Sequence, residues 1–180
     1  MQPPRSIVQR IESPVGPLLA TWTENGLYAF EFERDENASA GQNEGLKNWK
    51  PGAAAKVEHL QKLLLTTVDR YFRDACFEWD CGTLDWSGVP EFHVEVLQSC
   101  YGIPAGQTMT YGALAEAVGR PNAARAVGGA MAKNRWPLLI PCHRVLGASG
   151  KLTGYSGVGG IETKRWLLDH ERGQTQVQLV

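Results

Sequence analysis

The chain has 180 residues, 43% of them hydrophobic and 21% charged, with a formal net charge of −1; that is enough apolar material for real cores in one domain or two small ones. No run of about 18 apolar residues exists to span a membrane, and the opening Met1-Gln2-Pro3-Pro4-Arg5 does not read as an export signal, so the cysteines (Cys76, Cys81, Cys100 and Cys142) are expected in a reducing, cytosolic setting. The net charge alone argues against a nucleic-acid partner, but residues 1–90 carry 9 Lys/Arg against 13 Asp/Glu (−4), whereas residues 91–180 carry 9 against 6 (+3).

The pattern predicts an α+β chain: a small N-terminal antiparallel sheet with a helix over residues 1–85, then a mostly helical C-terminal domain over 86–180. Ile7–Ile11 opens an extended segment that Ser13-Pro14-Val15-Gly16-Pro17 breaks. Strands over 18–23 and 27–33 flank Glu24-Asn25-Gly26, where Asn-Gly is a hairpin signal. Residues 34–55, polar and interrupted by glycine and proline, read as a mobile loop. Val57, Leu60, Leu64, Val68, Tyr71 and Phe72 recur at helical spacing, so residues 56–73 form an amphipathic helix. Residues 77–80 could add a strand. Cys76 and Cys81 lack zinc-ribbon spacing and have no histidine close by, so no metal is expected there. Nothing in this half resembles a chemical site, and it reads as structural. Residues 81–90, with Gly82, Gly88 and Pro90, mark the boundary.

In the second half, Pro90 starts a helix with Phe92, Val96, Leu97 and Cys100 on one face, ended by Gly102 and Pro104. Residues 107–110 form an extended link. A short helix over 111–118, the turn Gly119-Arg120-Pro121, and a helix over 123–133 capped by Asn122 then follow the helix-turn-helix pattern. The same spacing suits an ordinary helical hairpin. The second helix is almost stripped of bulk: Ala123, Ala124, Ala126, Gly128, Gly129, Ala130 and Ala132 surround one early long side chain, Arg125. Two adjacent glycines cost a helix about 1 kcal/mol each relative to alanine, but such a helix can approach a narrow groove closely, with Arg125 as wedge or counter-charge. No acidic residue falls between Glu116 and Glu162, while Arg120, Arg125, Lys133, Arg135, Arg144 and Lys151 do. A patch of one sign suits a polyanion.

Leu138-Leu139-Ile140 then reads as a short buried strand that Pro141 ends by withholding a ladder donor. It delivers Cys142 to the point where extended structure stops, with His143 and Arg144 directly behind. A thiol reacts as the thiolate, which basic neighbours favour; an isolated Cys is otherwise commonly a buried packing residue. After a glycine-rich loop over 147–160, a helix over 161–171 turns Trp166, Leu167 and Leu168 inward and ends on His170 and Glu171. An acid at a helix C-terminus opposes the dipole, so Glu171 is kept there more readily if it has another task. The tail from Gly173 is polar and is expected to fray.

Pro141-Cys142-His143-Arg144-Val145, together with Thr110-Tyr111, Arg125-Ala126-Val127-Gly128-Gly129-Ala130-Met131, Asn134 and Gly154-Tyr155-Ser156-Gly157, resembles the O6-alkylguanine-DNA alkyltransferase family over residues 92–171. The first half matches only in size and in its strand-rich opening. The resemblance implies a DNA-repair protein that moves an alkyl group from guanine O6 to its own cysteine, once per molecule; it leaves O4-alkylthymine open as a second substrate. It implies that Cys142 is the acceptor, His143 a water-relayed base, Glu171 the carboxylate orienting it, and Asn134 a bridge between helix and Cys loop. Tyr111 would help rotate the nucleotide and donate a proton to the leaving guanine. Arg125, Ala124, Gly128 and Tyr111 would meet the minor groove of double-stranded DNA, and Met131, Pro137, Val145, Tyr155 and Ser156 would line the base pocket. Base flipping follows because guanine O6 is out of a nucleophile's reach inside the duplex. No cofactor and no metal are implied, since the family's zinc-binding members use N-terminal Cys and His residues and neither occurs here before His59. The protein is expected to act as a monomer, in the cytoplasm and away from membranes.

A related module that binds alkylguanine without repairing it carries Trp in place of the acceptor Cys, so Cys142 disfavours it. A transcription regulator would not need Cys142, His143 and Glu171 together. A cysteine hydrolase would need an oxyanion hole and turnover. Arg135, Trp136 and Arg144 carry no assignment from sequence.

Overall fold

The computed structural model describes residues 5–34, 49–75, 78–155 and 157–173, and the chain divides into two compact units, Met1–Ser87 and Gly88–Val180. In the first unit β1 (Ile7–Ile11), β2 (Leu18–Thr23) and β3 (Gly26–Phe32) form an antiparallel meander in the order β1-β2-β3. Alternation puts Leu18, Ala20 and Trp22 on the buried face, paired with Phe32, Phe30 and Leu27. A register shift at Thr21/Trp22 is what lets both Leu27 and Phe30 face inward despite their odd spacing. Gln9, on the same strand face as Ile7 and Ile11, accepts from the buried Trp22 indole at 3.2 Å. The hairpin loop is Glu24-Asn25 alone, with Gly26 already in β3.

Helix α1 (Ala53–Asp74) starts three residues before the predicted point and buries Val57, Leu60, Leu64, Thr67, Val68, Tyr71 and Phe72. Residues 35–48 of the predicted loop lie outside the described residues. Of the predicted strand over 77–80, residues 78–80 are not extended into any sheet. Asp80 instead caps a 3₁₀ turn, Cys81–Thr83, accepting from the Gly82 amide at 2.8 Å. The segment that does meet the sheet comes later: Leu84 bridges Leu27 in parallel, and the Asp85 amide donates to the Leu27 carbonyl at 2.9 Å.

The second unit carries α2 (Glu91–Tyr101), β4 (Met109–Thr110), α3 (Tyr111–Ala117), α4 (Ala124–Ala132), β5 (Val145–Leu146) and α5 (Ile161–Glu171). Thr110 caps α3, its hydroxyl accepting from the Ala113 amide at 3.1 Å. Gly119, left-handed at φ 70, closes α3 with the Gly119 amide donating to Glu116 and the Arg120 amide to Ala115, a Schellman motif. Asn122 is not the cap of α4. The Ala123 amide donates to Arg120 across a four-residue turn, which places Asn122 inside the turn and Ala123 at the cap position. The two-residue parallel ladder between β4 and β5 (Met109 with Val145, Thr110 with Leu146) has too little periodicity to show in a sequence; it ties the segment leaving the Cys turn to the segment entering α3. No helix among the described residues is long and apolar enough to cross a membrane.

Candidate active site

Residues 138–140 are not the predicted strand. They form a buried turn in which Leu138 takes a left-handed φ of 71 and the Ile140 amide reaches back to the Trp136 carbonyl at 2.8 Å. A short apolar run bounded by proline reads alike as buried strand or buried turn. Asn134 decides which: its side-chain oxygen accepts from the Trp136 amide at 2.9 Å and its amide donates to the Ile140 carbonyl at 2.9 Å, closing the segment into a loop. Pro141, at φ −79 and ψ 63, sits in an inverse γ-turn, with the Cys142 amide on the Ile140 carbonyl at 2.8 Å. Cys142 thus opens a 3₁₀ turn, Cys142–Arg144, which runs directly into β5.

His143 and Arg144, the other two residues of that turn, both meet Glu171 at the end of α5. His143, wholly buried, has Nε2 at 2.7 Å from Glu171 Oε1. Arg144 donates from Nε to Oε2 and from Nη2 to Oε1, each at 2.9 Å, and from Nη1 to the Ile103 carbonyl. The Gly106 amide adds a bond to Oε2 at 3.1 Å. Gly106 has a left-handed φ of 75, and a Cβ there would lie 3.3 Å from the Glu171 carbonyl oxygen, so glycine is what lets this amide approach. Burial alone would raise the Glu171 carboxyl; the bonds and charges of His143 and Arg144 outweigh it and hold the group well below the usual carboxylate range. Burial pushes His143 below its ordinary value, so it is neutral near pH 7 and Arg144 is the counter-ion of Glu171. With a carboxylate on Nε2, the proton is assigned to Nε2. Nδ1, which has no hydrogen-bond partner among the described residues, is then the basic nitrogen.

Burial raises the Cys142 thiol as well, opposed by a side-chain hydrogen bond from Asn134, the positive charge of Lys164 and backbone N–H groups of Cys142 and His143. The resting group is therefore a thiol that needs a base. A cleft of about 430 Å³ opens on it, lined by Tyr111, Gly128, Met131, Ala132, Thr153, Gly154 and Tyr155. Met131 and Tyr155, which the resemblance put in the base pocket, are part of this lining, as are Tyr111 and Gly128, which it put at the DNA groove. Pro137 and Val145 do not: both are buried in the second unit's interior and neither lines the cleft. Ser156 lies outside the described residues. Ala124 is half-buried and Arg125 exposed in the first turn of α4, away from the cleft lining. Arg135 lays its guanidinium over the buried Trp136 ring, 4.8 Å from its centroid. Trp166 is half-buried, stacked on His170 at 5.1 Å, rather than turned fully inward. Sequence reasoning missed Ala132, Thr153 and Gly154 as lining, Arg144 as the clamp on Glu171, and the wholly buried Lys164. No cluster of metal-binding side chains occurs among the described residues.

Residues 91–173 match the family model of the 6-O-methylguanine DNA methyltransferase DNA-binding domain. The methylated-DNA–protein-cysteine methyltransferase of Mycobacterium bovis is 37% identical over 169 residues, covering 94% of each chain. The chain belongs to this methyltransferase family. The relative of the same name from Salmonella typhimurium is 52% identical over 85 residues, a match that spans 48% of that protein. Among solved structures, the O6-methylguanine methyltransferase of Mycobacterium tuberculosis superposes with a TM-score of 0.70 at 33% identity over 97% of both chains. A structure of M. tuberculosis OGT in complex with DNA gives 0.69 at 36% identity over 96% of both. The family's α+β fold therefore extends through the first unit, which the sequence motifs alone did not reach.

Proposed function

We propose that this protein repairs DNA by moving the alkyl group of O6-alkylguanine in duplex DNA to Cys142, once per molecule. The observation that carries this reading is the geometry behind the thiol: a neutral, buried His143 with Nε2 on Glu171 and Nδ1 unengaged, next to a cysteine that lines a cleft. Nδ1 takes the thiol proton through a water, and the resulting imidazolium is stabilised by the ionised Glu171, the logic of a Cys/His/acid nucleophile. Sulfur attacks the alkyl carbon; the S–C bond forms as the C–O6 bond breaks, and the electron pair leaves on guanine. Tyr111, in the same cleft, donates a proton to the departing base; the imidazolium then releases its proton to water and the phenolate takes one back, so that overall the thiol loses one proton and guanine gains one. The product is a thioether without a carbonyl for water to attack, so the molecule is spent.

Duplex DNA enters by its minor groove against α4. On that helix Arg125, Ala126, Gly129 and Ala132 are the exposed positions, and a Cβ added at Gly129 would meet nothing within 4 Å. A stripe with no side chain beyond a methyl leads from Arg125 to the cleft mouth at Ala132, which suits close approach of a backbone to a groove. Asn134 holds the Cys loop to the end of α4. The protein acts as a monomer in the cytoplasm, where its cysteine stays reduced. Nucleoside analysis of a duplex carrying one O6-methylguanine tests this: methylguanine converts to guanine up to one equivalent of protein and then stops. Conversion continuing past one equivalent overturns single turnover, and binding without conversion overturns repair in favour of a damage-binding module.

A further inference from the structure

The segment 103–110 joins the end of α2 to the start of α3, and its backbone touches the buried ion pair behind Cys142 at two residues. The Ile103 carbonyl accepts from Arg144 Nη1, and the Gly106 amide donates to Glu171 Oε2 at 3.1 Å. One contact holds the cation of the pair and the other its anion. Local turn chemistry makes the second contact available. The Gln107 amide closes a turn on the Pro104 carbonyl at 3.1 Å, and Gly106, third in that turn, has φ 75, as a type II turn requires. Such a turn uses its fourth amide and leaves the third for an acceptor outside it. Further along, Met109 and Thr110 pair with Val145 and Leu146, which leave the Cys142–Arg144 turn. Thr110 then caps α3, whose first residue is Tyr111. The segment therefore leans on Arg144, on α5 and on β5 before it delivers Tyr111 to the cleft.

We propose that Gly106 is a positioning residue for the His143 base: through Ile103 and Gly106 the segment 103–110 grips Arg144 and Glu171, and so sets the spacing between His143 Nδ1 and Tyr111. The inference rests on the repair reading above, in which Nδ1 takes the thiol proton and Tyr111 gives one to guanine. Glu171 Oε1 is shared by His143 Nε2 and Arg144 Nη2, and Oε2 by Arg144 Nε and the Gly106 amide. Arg144 spans both oxygens, so it fixes the carboxylate relative to itself. The two backbone contacts fix the pair relative to the segment that carries Tyr111. His143 follows the carboxylate: its Nδ1 has no hydrogen-bond partner among the described residues, and Glu171 is the polar contact that orients its ring. Only a residue without a side chain fits at 106. A Cβ would lie 3.3 Å from the Glu171 carbonyl oxygen and press the segment off α5 by a few tenths of an ångström. That displacement reaches Nδ1 on one side and Tyr111 on the other.

The test compares wild type with Gly106→Ala and Gly106→Asn. Asparagine accepts the left-handed backbone and keeps the Cβ contact, so it serves if the alanine variant does not fold; thermal melting checks both. The first reading is the single-turnover rate of methyl transfer with O6-methylguanine duplex in excess. It is resolved into a saturating rate and a half-saturating duplex concentration. The saturating rate falls about tenfold and the half-saturating concentration stays the same. The second reading is the low-field proton NMR resonance of the His143 Nε2–H on Glu171, assigned by its loss in His143→Gln. It moves upfield in both variants. An unchanged resonance or an unchanged saturating rate in a folded variant overturns the positioning role. A raised half-saturating concentration with the saturating rate kept also overturns it, and assigns Gly106 to duplex binding instead. The two readings fail separately: wild type that takes no methyl from the duplex sinks the repair reading, while the resonance still decides whether Gly106 positions His143.

Discussion

The two units bury polar groups for different ends. In the first, the buried acid Asp85 accepts from the Thr23 hydroxyl and the Asn25 side-chain amide of the hairpin and from the Ser87 amide of its own turn, which holds the hairpin loop to the segment after it. Burial would raise its carboxyl, and these bonds hold it below the usual value instead. In the second, Asn134, His143, Arg144, Lys164 and Glu171 gather in and around the Cys142–Arg144 turn and its flanking residues, and the set leaves one ring nitrogen, His143 Nδ1, without a hydrogen-bond partner among the described residues. A structural network closes on itself; a chemical one keeps a lone pair for what enters. Thiol acidity alone does not draw this line, because burial also pushes the Cys81 thiol up to about 11 and the Cys100 thiol well above its ordinary value. What sets Cys142 apart is the company of a base, a cation and a cleft.

The largest expected effect sharpens that contrast. Cys142→Ala abolishes transfer, while removal of one buried sulfur lowers stability by only about 1 kcal/mol; nucleoside analysis and chemical denaturation read the two. Next comes Glu171→Gln, which leaves Arg144 as an uncompensated buried charge and costs about 3 kcal/mol, with a corresponding drop in melting temperature and in transfer rate. The pH dependence follows with a definite sign. Glu171 and His143 both have folded values below their unfolded ones, so the folded state binds fewer protons and their contribution is complete above about pH 6.5. It falls as the medium turns acid, first as unfolded His143 takes up its proton and further below the usual carboxylate range. Wild-type denaturation midpoints measured from pH 7 to pH 3 fall in these two stages; a midpoint that holds level from pH 7 to pH 5 contradicts a depressed, buried His143.

A smaller effect tests the first unit. Asp85→Asn weakens the bonds to Thr23 and Ser87 and destabilises by about 1–2 kcal/mol, with the transfer rate per folded molecule unchanged; a slowed rate would break the comparison. The smallest is Gly129→Ala. It raises helix stability by up to about 1 kcal/mol, since its Cβ meets open space, yet it weakens duplex binding in a gel-shift titration if the exposed stripe of α4 is the face proposed to meet the groove.

How much of this was readable from sequence depended on how local the signal was. The hairpin at Glu24-Asn25-Gly26, the helix-turn-helix around Gly119 and the bounds of α5 rest on turn chemistry and 3.6-residue spacing, and the structure has them. Glu171 was legible because an acid at a helix C-terminus opposes the dipole. The 138–140 strand failed because three aliphatic residues carry no period, and the decisive bonds come from the Asn134 side chain. Arg144 carried no assignment because a salt bridge and a phosphate contact read alike in sequence, and Lys164, between Glu162 and Arg165, gave no signal; only the placement of α5 against the Cys turn reveals that both are buried. Pro137 and Val145 sit beside the acceptor in sequence but pack into the interior behind it.

Peptide mapping after reaction with a duplex carrying O6-methylguanine tests the central claim most directly. The account predicts one added methyl, on the tryptic peptide that carries Cys142 and on no other, reaching one equivalent and remaining through prolonged incubation. A methyl on the peptides of Cys81 or Cys100, or a Cys142 peptide left unmodified while the DNA is repaired, would contradict it.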